Sequence, residues 1–199
     1  MKISLKKYNS DWPIQFEKQK EELLSYIGFL NPKIEHIGST SIKGLSAKPI
    51  IDILVGLEKE TDLDKVIQPL TTNNYIYYPI YNKEMPYRRF FVKHKVSPQI
   101  LNVPTIIDTE EKIPKTTEEH NQRLAHIHIL PQKSEHWTRH IAFRNYLRVS
   151  PQIKNQYQEL KQYLSEKKWE DGNDYSQAKN EFIKREEANA IKWFLKQLD

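Results

Sequence analysis

One aspartate inside a strongly apolar stretch is the first residue of this sequence that could carry chemistry. Asp52 lies within the run 50–55, which is typical of a central strand covered on both faces. An unpaired carboxylate in a protein interior is strongly unfavourable. Asp52 therefore needs a cation such as Lys48, a metal ion, or a position at the mouth of a cleft. A carboxylate at a central strand is typical of a functional site, and we favour that interpretation over a structural ion pair.

Two histidines share one face of another predicted strand. The run 125–130 alternates with period 2, so His126 and His128 project to the same side. Together they could hold one metal ion or one phosphate group, and imidazole is the usual proton shuttle near neutral pH. A half-exposed polar strand face explains the pattern equally well, and both interpretations stay open.

A turn rich in hydroxyl groups precedes the aspartate. Gly38 lets the chain turn sharply after a predicted strand. The hydroxyl and backbone N–H groups of Ser39, Thr40 and Ser41 could cradle a phosphate there. A plain strand-to-helix turn is the commoner use of such a sequence.

Basic residues that could offset phosphate charge lie mostly in the C-terminal part. His140, Arg144 and Arg148 recur every fourth residue and line one face of a predicted helix. Arginine forks suit phosphate oxygens, whereas a solvated helix face is the alternative that the pattern slightly favours. Further candidates are Lys179 and the neighbouring pair Arg88 and Arg89.

The spacing of apolar residues predicts an α/β chain whose last third is helical. Strands are predicted at 34–37, 50–55, 75–80, 88–95, 99–103 and 125–130. Helices are predicted at 11–28, 61–73, 134–148, 151–168 and from 175 onward, with a surface loop at 104–122 and a turn at 171–174. We expect one domain at 1–199, with a sheet-containing core at 1–133 and C-terminal helices at 134–199.

Composition limits the class of protein. The chain has 199 residues, no cysteine and a formal net charge of +5. Without cysteine there is no disulfide framework and no thiolate metal site. No apolar run approaches the roughly 20 residues that a membrane span needs, and the N-terminus does not resemble a signal peptide. We therefore expect a cytoplasmic protein without a membrane partner, and the modest basic excess favours ligands that carry phosphate.

The longest motif is the run 36–53, which reads HIGSTSIKGLSAKPIIDI. Supporting segments lie at 8–13, 88–91, 126–129, 137–148 and 175–182. Together these motifs resemble the GrpB family, which is regarded as part of the nucleotidyltransferase superfamily. The resemblance spans nearly the whole chain and implies an α/β (α+β) fold, a nucleotidyltransferase-like mixed sheet flanked by helices.

The resemblance also implies a site. In the superfamily a Gly-Ser turn precedes a strand with two carboxylates spaced Asp-x-Asp, and a third carboxylate lies on a neighbouring strand. Gly38 and Ser39 would form the turn, and Asp52 would be the first carboxylate. The position of the second carboxylate holds Leu54 instead.

The third carboxylate is also replaced, because the strand expected to supply it carries His126 and His128. Two Mg²⁺ ions are normally held by carboxylate oxygens. One aspartate and two histidines suit a single transition metal such as Mn²⁺ or Zn²⁺ better. We expect a divalent metal, Mg²⁺ or one of these, at Asp52, His126 and His128, which would also be the catalytic residues.

The expected function is nucleotidyl or related phosphoryl-type transfer, or nucleotide binding, at the Gly-Ser turn and Asp52. Residues expected to contact phosphate are His36, Gly38, Ser39, Thr40, Ser41, Lys48, Arg89, Arg144, Arg148 and Lys179. The alternative, motivated by Leu54, is a binding module for a phosphorylated or anionic small molecule without turnover. Nucleic acid is not expected as a partner because the net charge is modest, and the oligomeric state stays open.

Overall fold

A five-stranded mixed sheet forms the centre of the structure, a computed structural model that describes residues 3–169 and 172–197. The strands are β1 (Lys33–Ile37), β2 (Ile51–Leu57), β3 (Tyr75–Tyr77), β4 (Arg89–His94) and β5 (Arg123–Pro131). Their order is β1-β2-β5-β4-β3; β2 and β5 run parallel, and the other neighbours run antiparallel. The predicted mixed sheet is therefore confirmed.

Helices flank this sheet and make up the C-terminal part, as predicted. They are α1 (Asp11–Ile27), α2 (Ile67–Thr72), α3 (Thr117–Gln122), α4 (Glu135–Val149), α5 (Pro151–Ser165), α6 (Gly172–Gln177) and α7 (Asn180–Leu195). A short 3-10 turn at Ser39–Ser41 follows β1. Within residues 3–169 and 172–197, no helix has both the length and the apolar character that crossing a membrane requires.

The two faces of the sheet are covered differently: one packs in the main apolar core, and the other faces the C-terminal helices. On β2, the fully buried side chains of Ile51, Ile53 and Val55 join the main apolar core, to which α1 and α2 also contribute. Because successive side chains of a strand alternate between faces, Asp52 and Leu54 project to the other side. The aspartate is thus directed away from the main core and towards the C-terminal helices.

Helix α4 covers one end of this second face. Trp137 of α4 packs in an apolar cluster with Ile37, Leu54 and Leu130. A Cβ atom built on Gly56 would lie 2.6 Å from the Trp137 ring, so the absence of a side chain there lets α4 approach the sheet. Ser134 caps the helix, since its Oγ accepts a hydrogen bond from Trp137 N at 3.2 Å. Trp137 stands one turn before His140. The helix face that carries His140, Arg144 and Arg148 therefore lies above the sheet.

The connection between β2 and β3 differs from the prediction. The predicted helix 61–73 is a 3-10 segment at Glu60–Val66 followed by the short α2. Pro69 explains the difference, because it has no N–H group to donate to the carbonyl of Lys65 and so interrupts a continuous α-helix.

Two predicted strands are shorter or absent. The predicted strand 75–80 ends at Tyr77, because a 3-10 turn begins at Pro79. The predicted strand 99–103 is wrong. The chain turns there, with Asn102 in the left-handed region at a φ of 52°, which asparagine tolerates better than most residues.

The predicted surface loop 104–122 carries a helix with a buried anchor. Thr116 caps α3, since its Oγ1 accepts a hydrogen bond from Glu119 N at 3.1 Å. Glu119 is only 3% exposed. Its Oε1 lies 2.6 Å from His94 Nε2 and accepts from Arg123 Nε at 2.9 Å. His94 lies on β4, far from α3 in sequence, so local composition does not reveal this contact.

The C-terminal boundaries shift by a few residues. Helix α5 ends at Ser165, before the predicted end at 168. Of the predicted turn 171–174, residue 171 lies outside the described residues, and the remainder belongs to α6. Helix α7 then forms the last predicted helix.

Candidate functional site

The sheet register places Asp52 between the Gly-Ser turn and the two histidines. Asp52 pairs with Ile37, the last residue of β1, and with His126 on the parallel strand β5. Asp52 Oδ1 lies 3.4 Å from His126 Nδ1, and both side chains are partly exposed, at 32% and 22%. The prediction that the two histidines share one face is confirmed, because His128 faces the same side as His126 two residues along β5.

Gly38 makes room for the aspartate. It has a φ of +67°, and a Cβ atom there would lie 2.2 Å from Asp52 Oδ2. A side chain at this position would be strained by the backbone conformation and would also displace the carboxylate. The glycine of the motif 36–53 therefore allows close approach of the turn to Asp52, in addition to the sharp turn that the sequence predicts.

His36 and Thr40 brace the turn from the side of the main core. His36 Nε2 lies 3.0 Å from Thr40 Oγ1, and the imidazole stacks on Phe16 with ring centroids 4.7 Å apart. Burial lowers the pKa of His36 to about 4, so it is neutral at pH 7. Ser41 closes the turn on itself, since its Oγ donates to Gly38 O at 2.7 Å. These contacts give His36, Thr40 and Ser41 a role in shaping the turn.

Two arginines of α4 hold the backbone around the turn. Arg144 is 9% exposed, and its Nη1 donates to Glu35 Oε2 at 2.8 Å and to His36 O at 3.0 Å. Arg148 Nη2 donates to Ser41 O at 2.9 Å. The solvated-face alternative is therefore wrong for Arg144. Both guanidinium groups stabilise the 35–41 segment, and their contact with phosphate stays a prediction.

Lys161 and Lys179 lie beside Ser39 and Asp52. These four side chains line one small cavity of about 160 Å³. Lys161 is 2% exposed; its Nζ donates to Ser39 Oγ at 3.2 Å and to the carbonyl of Ser46. Burial lowers the pKa of Lys161 to about 7, and the positive charge of Lys179 lowers it further. Burial also lowers the pKa of Lys179 to about 8, which Asp52 partly opposes.

A larger cleft of about 800 Å³ opens above the same aspartate. Asp52, His126 and His128 contribute to it, and Lys48 and Lys179 line both this cleft and the small cavity. Aromatic and basic side chains form much of its remaining wall, among them Tyr78, Tyr81, Arg88, Phe90, Arg123 and His140. Lys48 also lies above the Tyr175 ring, with Nζ 4.9 Å from the centroid.

Arg88 reaches this cleft, whereas the predicted Arg89 does not. Phe90 pairs with His128 and shares its face, while Arg89 pairs with Ile129 on the opposite face. Arg89 Nε donates to Asp64 Oδ1 at 2.6 Å. Arg88 Nη1 lies 3.3 Å from His128 Nδ1 and lines the cleft. The structure therefore brings together most of the predicted residues, with Arg88 in place of Arg89.

Comparison with known proteins identifies the family of this chain. The family model described as "GrpB protein" matches residues 2–189. The chain belongs to the GrpB family. It is 31% identical over 182 residues to the glutamate-rich protein GrpB of Alkalihalophilus pseudofirmus, covering 91% of both chains. It is also 31% identical over 192 residues to the UPF0157 protein YqkA of Bacillus subtilis, covering 96% of this chain but 48% of that protein. The chain thus spans about half the length of YqkA.

A solved GrpB structure confirms the fold. The crystal structure of conserved protein GrpB from Enterococcus faecalis has a TM-score of 0.75 to this chain at 30% identity, and covers 96% of this chain and 99% of that one. The resemblance inferred from the run 36–53 is therefore confirmed at the level of family and fold.

The predicted metal ligands of this GrpB-family chain are only partly assembled. Asp52 and His126 are close, but His128 Nδ1 faces the guanidinium of Arg88, and a cation there repels a metal ion. In the described ranges no group of three or more His, Cys, Asp or Glu side chains is placed to hold a metal. The donor set does not favour a metal shared by all three residues, and the predicted divalent metal stays a prediction.

Sequence reasoning missed Lys161 and, of the candidate pair Arg88 and Arg89, chose Arg89 for phosphate contact. Alternation places the two arginines on opposite faces, but the register of β4 against β5, which the sequence does not reveal, decides which face meets His128. Lys161 carries no comparable signal, because its partners lie more than one hundred residues earlier in the chain. Only the packing of α5 against the turn reveals it.

Proposed function

We propose that this chain binds a small phosphorylated ligand, a nucleotide or another phosphate ester, with phosphate held between Ser39, Lys161 and Lys179. The observation that carries this proposal is the pair of lysines in one small cavity, each with a lowered pKa. Burial lowers both pKa values, and the charge of Lys179 lowers that of Lys161 further. A phosphate dianion beside the two ammonium groups would favour their charged forms and raise both pKa values.

The neighbouring cleft has room for the rest of such a ligand. Its volume of about 800 Å³ lies within the usual range of small-molecule sites. Tyr78, Tyr81 and Phe90 supply flat apolar surfaces, and Phe90 stands beside His126 and His128, with ring centroids 5.6 and 5.1 Å away. A nucleobase or another planar group would pack on such a wall.

Asp52 and His126 are the groups best placed for proton transfer. Burial lowers the pKa of His126, and Asp52 opposes that effect. The Asp52 carboxylate lines both the small cavity and the cleft. It would take a proton from the acceptor hydroxyl during nucleotidyl or related phosphoryl-type transfer, and His126 Nδ1, 3.4 Å away, would help to hold its orientation. If a divalent metal were held at Asp52 and His126 instead, these residues would be its ligands and it would supply charge stabilisation of the phosphate.

Leu54 favours the alternative of binding without turnover. It occupies the position of the second superfamily carboxylate, is 0% exposed and packs with Ile37, Leu130 and Trp137. A carboxylate could not replace it there without burying a charge in an apolar cluster. If the cleft has no turnover, Ser39 and the lysines would serve recognition of the anion alone.

Calorimetric titration tests the proposal. ATP and pyrophosphate are titrated, with and without Mg²⁺ or Mn²⁺, into the wild type and into the Lys179→Met, Asp52→Asn and Lys184→Met variants. Lys184 is exposed on α7 and is the matched control. We expect binding that Lys179→Met weakens at least about tenfold and Lys184→Met leaves unchanged.

The proposal fails if neither compound binds, or if Lys179→Met and Asp52→Asn bind as well as the wild type. Metal-dependent consumption of ATP that Asp52→Asn abolishes would select the enzyme over the binding module. Tight binding without consumption would select the module.

A further inference from the structure

The far end of the cleft carries a second positive centre that the phosphate site does not use. Arg88, just before β4, places Nη1 3.3 Å from His128 Nδ1. Its guanidinium carbon lies 5.1 Å from the centroid of the Phe90 ring. His140 of α4 completes the group, with its ring centroid 6.1 Å from that of His128. All four side chains line the cleft.

The side chains that shift the pKa of His128 are arginines and histidines. Burial lowers the pKa of His128 well below its usual value, and Arg88, His140, His126 and Arg139 all lower it further. These groups lie on β5, on the segment before β4 and on α4, while Asp52 and Glu187 line a neighbouring cavity together with His128. His128 is therefore neutral at pH 7 and can only accept or donate as an uncharged imidazole.

His140 is neutral for similar reasons. Burial lowers its pKa to about 4, with Arg139 and Arg88 adding to the effect and Asp52 opposing it. Arg139 itself is paired with Glu187, at 3.2 Å between Nη1 and Oε2. Within this group of side chains, Arg88 carries the positive charge that faces the cleft.

Arg88 differs from the arginines around it. Arg89, Arg123 and Arg139 each meet a carboxylate, at 2.6, 2.9 and 3.2 Å. Arg88 meets an imidazole nitrogen instead, and burial lowers its pKa. A partly buried guanidinium fork without a carboxylate is matched by an oxyanion, which it binds through two parallel hydrogen bonds.

We propose that Arg88, His128 and His140 form a second anion site in the cleft, for a phosphate or carboxylate group of an acceptor or second ligand. His128 follows His126 by two residues, about 7 Å along the strand. The site is thus separate from the phosphate position beside Ser39, yet both face the same Asp52–His126 pair. This inference shares the cleft with the proposed function but does not depend on it.

Sulfate is the suitable probe for a phosphate-type oxyanion at this site, because its own charge does not change near neutral pH. Acetate is the matching probe for a carboxylate.

Histidine-ring NMR provides the test. Sulfate and acetate are titrated into the isotope-labelled full chain, and the ring nitrogen signals of His128 and His140 are followed. Wild type and Arg89→Met should respond alike, since Arg89 lies on the opposite face. Arg88→Met keeps an apolar stem over Phe90 and should weaken the response at least about tenfold. Arg88→Lys, which keeps the charge without the fork, should give an intermediate response even if the methionine variant fails to fold.

The possible outcomes separate this inference from the proposed function. A response to sulfate alone assigns a phosphate-type ligand, and a response to acetate assigns a carboxylate. Lys179→Met should leave the His128 and His140 responses in place. If Lys179→Met abolishes them while Arg88→Met and Arg88→Lys do not, the anion sits at the lysines and the second site is refuted. No response to either probe refutes it as well, whatever ATP does.

Discussion

Gly38 and Asp52 lie so close that a single added carbon atom would separate them. A Cβ atom on Gly38 would stand 2.2 Å from Asp52 Oδ2 and 2.8 Å from Asp52 Cβ. The turn after β1 and the carboxylate of β2 are therefore one structural unit. This contact explains why the turn and the aspartate occur in one continuous motif, 36–53, although the two residues are fourteen positions apart.

Gly38→Ala should destabilise the chain and disturb the site together. The alanine would be strained at a φ of +67° and would collide with the carboxylate, so we expect a loss of about 2 kcal/mol or more in the free energy of unfolding. Denaturant titration measures the loss. Gly28→Ala is the matched control, because a Cβ atom there meets nothing within 4 Å. Equal stability of the two variants would contradict the close contact.

Lys161 predicts a specific dependence of stability on pH. Its pKa is about 7 in the folded chain against an ordinary value of 10.5. Between these values the unfolded chain binds more protons than the folded chain, so the free energy of unfolding rises with pH. Relative to Lys161→Met, the wild type should gain about 1 kcal/mol per pH unit above pH 7.

Denaturant titrations between pH 7 and pH 9 provide that measurement. The Lys184→Met control removes an exposed lysine of α7 and should run parallel to the wild type. A difference in the free energy of unfolding between wild type and Lys161→Met that does not change with pH would show that burial does not lower the pKa of Lys161.

Glu119, the buried residue of α3, should contribute more to the free energy of unfolding than its exposed neighbour Glu118. Glu119 sits between His94 and Arg123 at 2.6 and 2.9 Å. Glu119→Gln leaves Arg123 without its carboxylate, and we expect a loss of about 3 kcal/mol in the free energy of unfolding. Glu118→Gln, on the exposed side of the same helix, should change it by less than about 0.5 kcal/mol. Similar losses of unfolding free energy in both variants would show that the contacts of Glu119 with His94 and Arg123 do not stabilise the fold.

Removing the carboxylate of Asp52 should lower the pKa of His126. Asp52 is the group that raises the pKa of His126 against the effect of burial. In Asp52→Asn, the pKa of His126 should therefore fall further below its usual value, and the imidazole should stay neutral to lower pH. NMR titration of the ring signals checks this, with Asp64→Asn as the control, since Asp64 pairs with Arg89 on the other face. An unchanged pKa would mean that the two groups do not interact.

The local alternation of apolar and polar residues predicted the site residues on the central strands, but not those that reach the site from other segments. The period-2 pattern of 125–130 correctly placed His126 and His128 on one face, and the apolar run around Asp52 correctly indicated a central strand. Strand periodicity is a local property and can be read from sequence. Alternation also places Arg88 and Arg89 on opposite faces, but only the register of β4 against β5 shows which of them faces the histidines.

The remaining residues depend on contacts between distant segments. Lys161 reaches Ser39 from α5, and Glu119 reaches His94 from α3. Neither contact follows from the helical pattern around it, since an amphipathic helix shows which face is buried but not what it meets. For the same reason Arg144 looked like a solvated residue, although it is buried against Glu35 and His36.

A crystal structure with pyrophosphate bound tests the central claim most directly. A phosphate group should lie within hydrogen-bond distance of Ser39 Oγ, Lys161 Nζ and Lys179 Nζ, next to Asp52 in the small cavity. Pyrophosphate bound elsewhere on the surface, or a small cavity that excludes it under conditions where calorimetry shows binding, would contradict the account.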